Sequence, residues 1–444
     1  MTHNHGQNIN SAGMSENALG VCGRQRAKVW CLVGFVLLMT KSIIVDQHLV
    51  LVDLKKYSEP ENRKAVESVS TNYSQLTKGE AFLSQRYKYS LERERELDHL
   101  VESLARPFKP WQGVPHEWCV DEHSAINKTK MRGMGLLFAR TFKTGSTSAA
   151  AVHLQIAHRV GQRMWPNQNK PCHFHYKHTW SQRNGMKFKT TPSRLWTIVR
   201  DPSQRSLSAY NYYMVGQKNR TWNANNLQRF LRGSKNHQTM QLRTNRTHIA
   251  SGGGQPARKV EPELWKSTSR ITSLMQSEIL GVYDFIAVNE RWDESMAVLQ
   301  LLWGLQEEDM MYIGTKASTS WTYNWSPRNT CFWIPPKPAV DSATSEFLRT
   351  SFRRRNLDVL LHRLAWRSLD LTIQSLGTSR VQEVIDRQSR MRAYVQGVCN
   401  DYVTFPCSAT GHWQPTHAQD CYKNDIYCGH KCLNSAIDQY LAIQ

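Results

Sequence analysis

The sequence predicts an α/β domain on a central parallel sheet, preceded by one membrane-spanning helix and a polar stem, and followed by a cysteine-rich tail. Three observations predict this. Short apolar runs alternate with helix-patterned stretches from about residue 134 to 376, which is the pattern of β-α-β units. A single long apolar run stands near the N-terminus, uncharged from Val29 to Thr40. Of the eight cysteines beyond that run, five fall after residue 378.

The elements follow in order. Residues 1–28 are polar and read as a cytoplasmic tail. Val29 to Val45 form the apolar run, interrupted only by Lys41 and Ser42. Its 17 residues are at the lower limit for a bilayer span. Arg24, Arg26 and Lys28 precede it and no basic residue follows before Lys55 beyond Lys41 itself. The positive-inside rule then places the N-terminus in the cytosol and the remainder in a lumen. No small-residue cleavage site follows, so the expectation is an uncleaved signal anchor. Residues 46–130 read as a stem, with Leu83, Tyr87, Leu91, Leu97, Leu100 and Leu104 at helical spacing and Pro107, Pro110 and Pro115 ending the pattern.

Residues 131–377 carry the expected α/β domain. Met134 to Arg140 read as its first strand and about Thr147 to Arg163 as its first helix. Arg194 to Arg200 read as the second strand, followed by Asp201-Pro202 and a helix from about Ser203 to Val215. From Gly216 to Val260 the chain is polar and long for a loop. A helix is expected from about Pro262 to Ser277, a strand ending at Val288, a helix from Asp293, and one long helix over about Ala343 to Leu376. Residues 378–444 form the cysteine-rich tail.

The bulk chemistry narrows the partner. Formal net charge is +21 and the pI about 9.6, which calls for an acidic partner. A lumenal domain excludes nucleic acid from that role. An even set of cysteines and N-x-S/T sequons at Asn72, Asn127, Asn219, Asn245 and Asn324 suit an oxidising, glycosylating compartment. Cys421, Cys428 and Cys432, with His430 nearby, lack paired C-x2-C spacing, so disulfides are expected there rather than zinc.

Two stretches carry chemistry. In FARTFKTGSTSAAAV, Phe138 to Val152, a strand enters a turn and then a helix. A helix start offers unpaired N–H groups and the positive end of its dipole to an anion. Gly145 lets backbone approach a phosphate closely, Lys143 supplies a mobile cation, and Ser146, Thr147 and Ser148 supply hydroxyls. The lysine precedes the glycine, so this is not the G-x-x-x-x-G-K-[ST] loop of kinases and NTPases. In LWTIVRDPSQRSLSAYNYY, Leu195 to Tyr213, Arg200 ends a strand, and Arg205, Ser208 and Tyr212 recur at helical spacing. Arg200 and Ser208 are candidates to clamp a second phosphate.

Together these stretches resemble the membrane-bound carbohydrate sulfotransferases of the Golgi. KTGSTS is similar to their 5′-phosphosulfate loop and IVRDPSQRSLSAYNYY to their 3′-phosphate element. Tyr283 to Tyr312 and Asn356 to Ile373 resemble the galactose 3-O-sulfotransferases, the group that includes galactosylceramide sulfotransferase. The resemblance spans about Gly133 to Leu376, and Phe142 departs from it where many relatives carry Pro or His. It implies a P-loop-like three-layer domain, a Golgi membrane protein of type II topology with a lumenal catalytic domain, and 3′-phosphoadenosine 5′-phosphosulfate as donor. Lys143, Thr144, Gly145, Ser146, Thr147 and Ser148 would hold the phosphosulfate, and Arg200 and Ser208 the 3′-phosphate. No metal is implied. The acceptor would be a glycolipid, glycoprotein or polysaccharide hydroxyl, with galactose O3 the nearest match; a homodimer is an expected assembly.

Sulfuryl transfer is mainly in-line positioning and charge stabilisation, as phosphoryl transfer is. Lys143 would neutralise charge on the leaving phosphate. The acceptor needs a base, and imidazole suits neutral pH. His173, His175 and His178 lie between the motifs. The H-x-H of His173 and His175 resembles that of the uronyl 2-O-sulfotransferases, and alternation puts both on one face of an extended segment. His175 is the first choice, His173 the second. A uronyl 2-O-type enzyme, a nucleotide-dependent kinase and a non-catalytic glycan-binding protein are the competing readings.

Overall fold

The computed structural model describes residues 92, 94–112, 117–121, 134–168, 170–177, 189–190, 192–243, 267–314, 319–324, 330–415, 418–423 and 425–444. The expected anchor at 29–45 lies outside them. Among the described residues no helix is long and apolar enough to cross a membrane.

The centre is a four-stranded, all-parallel sheet of order β2-β1-β3-β4. Its strands are β1 (Leu136–Ala139), β2 (Phe174–Lys177), β3 (Arg194–Val199) and β4 (Phe285–Val288). β1, β3 and β4 are buried along their whole length. This explains why they read as mostly apolar runs, broken in β3 only by Arg194 and Thr197, rather than alternating ones. The sheet and helical layers match the expected α/β class.

After α1 (residues 94–104), helix α2 (Ser146–Met164) connects β1 to β2. Its His153 sits among Phe138, Trp196, Phe174 and Tyr176, so these side chains mark the sheet face that α2 covers. Between β3 and β4 come α3 (Pro202–Tyr210), α4 (Ala224–Gly233), α5 (His237–Leu242) and α6 (Thr268–Met275). β1 crosses outward to β2 and β3 crosses the other way to β4. By the general right-handed rule for parallel connections, the helices of these two crossovers belong on opposite faces. The strand order reverses between β1 and β3, and the carboxyl ends of these neighbours form a crevice.

Helix α3 begins as its sequence dictates. Asp201 is the N-cap, accepting from the Gln204 N–H, and Pro202 occupies the first turn. The helix then widens into a π turn over Asn211–Gly216. α7 (Trp292–Trp303) follows β4, and the hairpin β5 (Ser320–Asn324) and β6 (Thr330–Ile334) precedes α8 (Ser342–Phe347). α9 (Leu357–Leu376), α10 (Thr378–Cys399), the short pair β7 (Cys421–Lys423) and β8 (Ile426–Cys428), and α11 (His430–Ile443) complete the chain.

Four expectations need correction. The polar 216–260 stretch is not simply a loop: α4 and α5 occupy much of its described part, burying Leu227, Leu231, Met240 and Leu242. The single helix over Ala343 to Leu376 is two, because Arg355 takes a left-handed φ of 53° and Asn356 caps α9 through the Asp358 N–H. The helical pattern assigned to a stem ends in α1, whose Leu97, Leu100, Val101 and Leu104 are buried in the main core. Ion pairs from Arg363 of α9 to Glu94 and Asp98, and from Arg367 to Glu102, hold α1 in place. The tail is equally part of the body: Val381, Val384, Met391, Val395, Leu433 and Ile437 belong to the same core.

Among the described residues four disulfides form, as the even cysteine count predicts. They are Cys119–Cys172, Cys331–Cys407, Cys399–Cys432 and Cys421–Cys428. The last two engage Cys421, Cys428 and Cys432, where disulfides rather than zinc were expected. His430 Nδ1 instead lies 3.1 Å from the Asp420 carbonyl.

Candidate functional site

The loop between β1 and α2 emerges at the carboxyl end of the sheet. Gly145 is the N-cap of α2, with a left-handed φ of 76°, and its missing side chain leaves the first helical N–H groups without a side-chain cap. A Cβ here would lie 2.3 Å from Asn289 Oδ1, so any other residue would have to displace the Asn289 side chain as well as adopt a left-handed φ. Lys143 is left-handed too, at φ 64°. Left-handed residues separated by one of ordinary φ, as Lys143 and Gly145 are by Thr144, turn successive N–H groups into a concave nest for an anion.

The hydroxyls divide into two sets. Thr144 is fully buried; its Oγ1 donates to the Thr141 carbonyl, and Thr141 Oγ1 donates to the Ile198 carbonyl at 2.7 Å. That side chain secures the loop to β3. Ser146 is also buried. Thr147 and Ser148 are half-buried at the helix start, with Arg140 Nη2 reaching Thr147 Oγ1 at 3.5 Å. Arg140, at the end of β1, is itself buried, and burial lowers its pKa to about 10 against the charge of Asp425.

The second motif arrives at the same place. Arg200 follows β3, and its Nη1 reaches the Lys143 carbonyl at 3.4 Å. Lys143 Nζ lies 3.8 Å from the ring centroid of Tyr212, in the second motif. Two stretches separated by more than fifty residues thus meet at the crevice where strand order reverses. Ser208 is half-buried on α3. Arg205 shares its helix but not that role: it is buried and donates to Ser206 Oγ and the Ser234 carbonyl.

Several site residues carry no sequence signature. Gln238 of α5 accepts from the Arg200 N–H at 2.9 Å and donates back to the Arg200 carbonyl at 2.8 Å. Gln241, one turn later, accepts from the Phe142 N–H at 3.2 Å. One short helix therefore holds both motif loops. Asp358 of α9 holds that helix in turn, accepting from the N–H groups of Gln238 and Thr239 and from Thr239 Oγ1. Glu290, just after β4, accepts from the Asp201 N–H and His362 and lies 3.8 Å from Arg200. Burial would raise its pKa, but the bonds from His362 and the Asp201 N–H outweigh this and hold it below the ordinary value. Only position after a strand could have marked Glu290; nothing local marks Gln238 or Gln241.

The histidines are placed by register. His175 pairs with Leu137 on β2, two residues before that strand reaches its carboxyl end. His173 lies before β2, where its carbonyl accepts from the Leu136 N–H. Four residues of strand, about 13 Å at 3.3 Å per residue, separate it from the end that carries Lys143. His173 therefore does not join the loops at the carboxyl end. His178 lies outside the described residues. A buried histidine not anticipated is His153, whose Nδ1 accepts from Trp196 Nε1 at 3.1 Å and which burial keeps neutral.

Among the described residues no group of three or more His, Cys, Asp or Glu side chains could hold a metal ion. No protein-family model, curated protein or solved structure matches this chain.

Proposed function

We propose that the chain is a carbohydrate sulfotransferase that moves a sulfonyl group from 3′-phosphoadenosine 5′-phosphosulfate to a sugar hydroxyl, with galactose O3 the favoured acceptor position. The observation that carries this reading is the meeting of Lys143, Gly145 and Arg200 at the carboxyl ends of β1 and β3. A donor with anionic groups at both 5′ and 3′ positions needs two anion sites a nucleoside apart, and this crevice offers two cationic loops side by side.

In the reaction the acceptor oxygen attacks sulfur as the bond from sulfur to the bridging phosphate oxygen breaks. The acceptor proton passes to a base, and adenosine 3′,5′-bisphosphate leaves. Lys143 and the α2 N-terminus would stabilise charge on the leaving phosphate, with Thr147 and Ser148 facing the same anion. Arg200 and Ser208 would hold the 3′-phosphate. Glu290, kept ionised and tied to His362, is a poor base and instead orients Arg200. His175 is the proposed base. Lumenal placement in the Golgi through the 29–45 anchor belongs to the same proposal.

The test is transfer of sulfate from the donor to a panel of galactosides, glycolipids and glycosaminoglycans, read as a mass increment. Transfer lost in Lys143→Ala and Arg200→Ala is expected. Transfer only to uronate polymers moves the enzyme to the 2-O class. No transfer, together with no thermal shift from adenosine 3′,5′-bisphosphate, overturns the reading.

A further inference from the structure

A cavity of about 690 Å³ lies at the other end of the sheet. Arg194 opens β3 and Asp284 immediately precedes β4, and both line it. β3 runs six residues from Arg194 to Val199, so the cavity and the Lys143 loop are about 20 Å apart along the strand. This cavity is separate from the crevice described above, and the transfer reaction does not use it.

One wall is a strap of chain after α1, residues 105–112. Its backbone is pinned at three points. The Arg106 N–H donates to Ser368 Oγ at 3.3 Å, the Phe108 N–H to Thr372 Oγ1 at 2.9 Å and the Trp111 N–H to the Leu302 carbonyl at 2.7 Å. Pro107 and Pro110 fix φ between those points. The wall is therefore preformed, which lowers the entropic cost of binding.

The lining is cationic. Among the lining residues Arg106, Lys109 and Arg194 stand against one carboxylate, Asp284, with Glu117 outside the lining but within electrostatic reach of Arg194; Asp284 is occupied by the Leu195 N–H, Lys189 Nζ and Arg194 Nη1. Arg194 is only 8% exposed. Its guanidinium lies 3.3 Å from the Trp111 ring centroid. Its Nε and Nη2 are buried and, among the described residues, have no hydrogen-bond partner. Buried guanidinium donors without partners are costly, and a carboxylate or sulfate would satisfy two of them at once. Lys109, Gln112 and Gln276 also line the cavity, and no hydrogen bond or ion pair forms from their side chains among the described residues.

We propose that this cavity is a non-catalytic subsite for an acidic saccharide, whose carboxylate or sulfate pairs with Arg194 and Lys109 while a sugar ring lies against Trp111. Gln112 and Gln276 supply amide donors and acceptors for sugar hydroxyls. The volume is within the range of small-ligand sites. The net charge of +21 on the chain raises the local concentration of a polyanionic glycan.

The experiment measures affinity of the full-length chain in detergent for a sulfated uronate hexasaccharide, a neutral hexasaccharide of equal length, and inorganic sulfate. Trp111→Ala and Lys109→Ala are each expected to weaken the acidic hexasaccharide about 10-fold, a single lost contact of the charged or aromatic kind. Arg380→Ala, an exposed cation on α10, should change it less than twofold. Equal weakening by Arg380→Ala would mean diffuse charge attraction and overturn the subsite. So would unchanged binding in Lys109→Ala, whose exposed side chain makes no contact that folding needs. Binding of the neutral hexasaccharide or of sulfate alone as tightly as the acidic one would overturn the ligand class. A thermal shift with adenosine 3′,5′-bisphosphate in the same samples reports on the transfer reading separately. Its absence beside intact saccharide binding sinks that reading alone.

Discussion

Gln238 grips the backbone of Arg200 from both sides, accepting from its N–H at 2.9 Å and donating to its carbonyl at 2.8 Å. The side chain is buried, so neither bond competes with bulk water. A bidentate amide of this kind fixes where the arginine leaves the strand. Gln238→Ala removes two hydrogen bonds of about 1 kcal/mol each. Affinity for adenosine 3′,5′-bisphosphate should fall about 10-fold or more, with the Lys143 loop still folded. Calorimetric titration measures it; unchanged affinity would show that Arg200 is placed without Gln238.

Gly145 tests the first loop. Its φ is 76°, and a methyl group in place of its hydrogen would sit 2.3 Å from Asn289 Oδ1, so alanine meets strain and a clash together. Left-handed backbone alone costs an alanine about 1–2 kcal/mol. Gly304 is the control, with φ 62° and nothing within 4 Å of its Cβ position. Gly304→Ala should lower the urea-derived stability by the strain alone. Gly145→Ala should lower it further and also abolish the thermal shift from adenosine 3′,5′-bisphosphate. Equal effects in the two variants would remove Asn289 from the argument.

Helix α1 decides where the folded body begins. Leu97, Leu100, Val101, Leu104 and Phe108 are each 8% exposed or less. At about 2 kcal/mol per buried side chain, their loss approaches 10 kcal/mol, comparable with the whole stability of a domain. Truncation at residue 131 also removes the Cys119–Cys172 bridge. A chain starting at residue 85 should be secreted folded and one starting at 131 should not. Equal secretion of both would make α1 dispensable.

His237 gives the site a pH dependence. Burial, and then the charge of Arg205, lower its pKa to about 3. The folded state therefore binds fewer protons than the unfolded one at mildly acid pH. The stability this represents is fully present above pH 6.5 and is lost as pH falls toward 3. Between pH 6.5 and 5 the loss is about 2 kcal/mol. His237 packs 5.9 Å from the Phe142 ring beside the Lys143 loop, so the loss should be felt there. Urea unfolding at pH 7.5 and 5.0 should show a smaller drop in His237→Gln than in the parent chain. The same drop in both would place the acid sensitivity elsewhere, His158 with its pKa of about 4 being next.

The sequence by itself determined what local chemistry can determine. Fully buried strands read as apolar runs because both faces of β1, β3 and β4 are covered. Asp201-Pro202 marked a helix start, and Gly145 with its hydroxyl neighbours marked another, since caps and turns are decided within a few residues. The cysteine pattern after the apolar run fitted disulfides.

Only the tertiary structure decided what lies next to what. Periodicity gave α1 its helix but not its partner, because the ion pairs from Arg363 and Arg367 cross more than 260 positions. The polar stretch around Gln238 and Gln241 looked like a loop because its apolar residues are few, yet those glutamines hold both motif loops. Alternation offered His173 and His175 as a pair, but only strand register shows that His173 lies far from the carboxyl end. The site is assembled where two parallel strands diverge in their crossovers, and the order of strands in a sheet is written in long-range packing, not in any local run of residues.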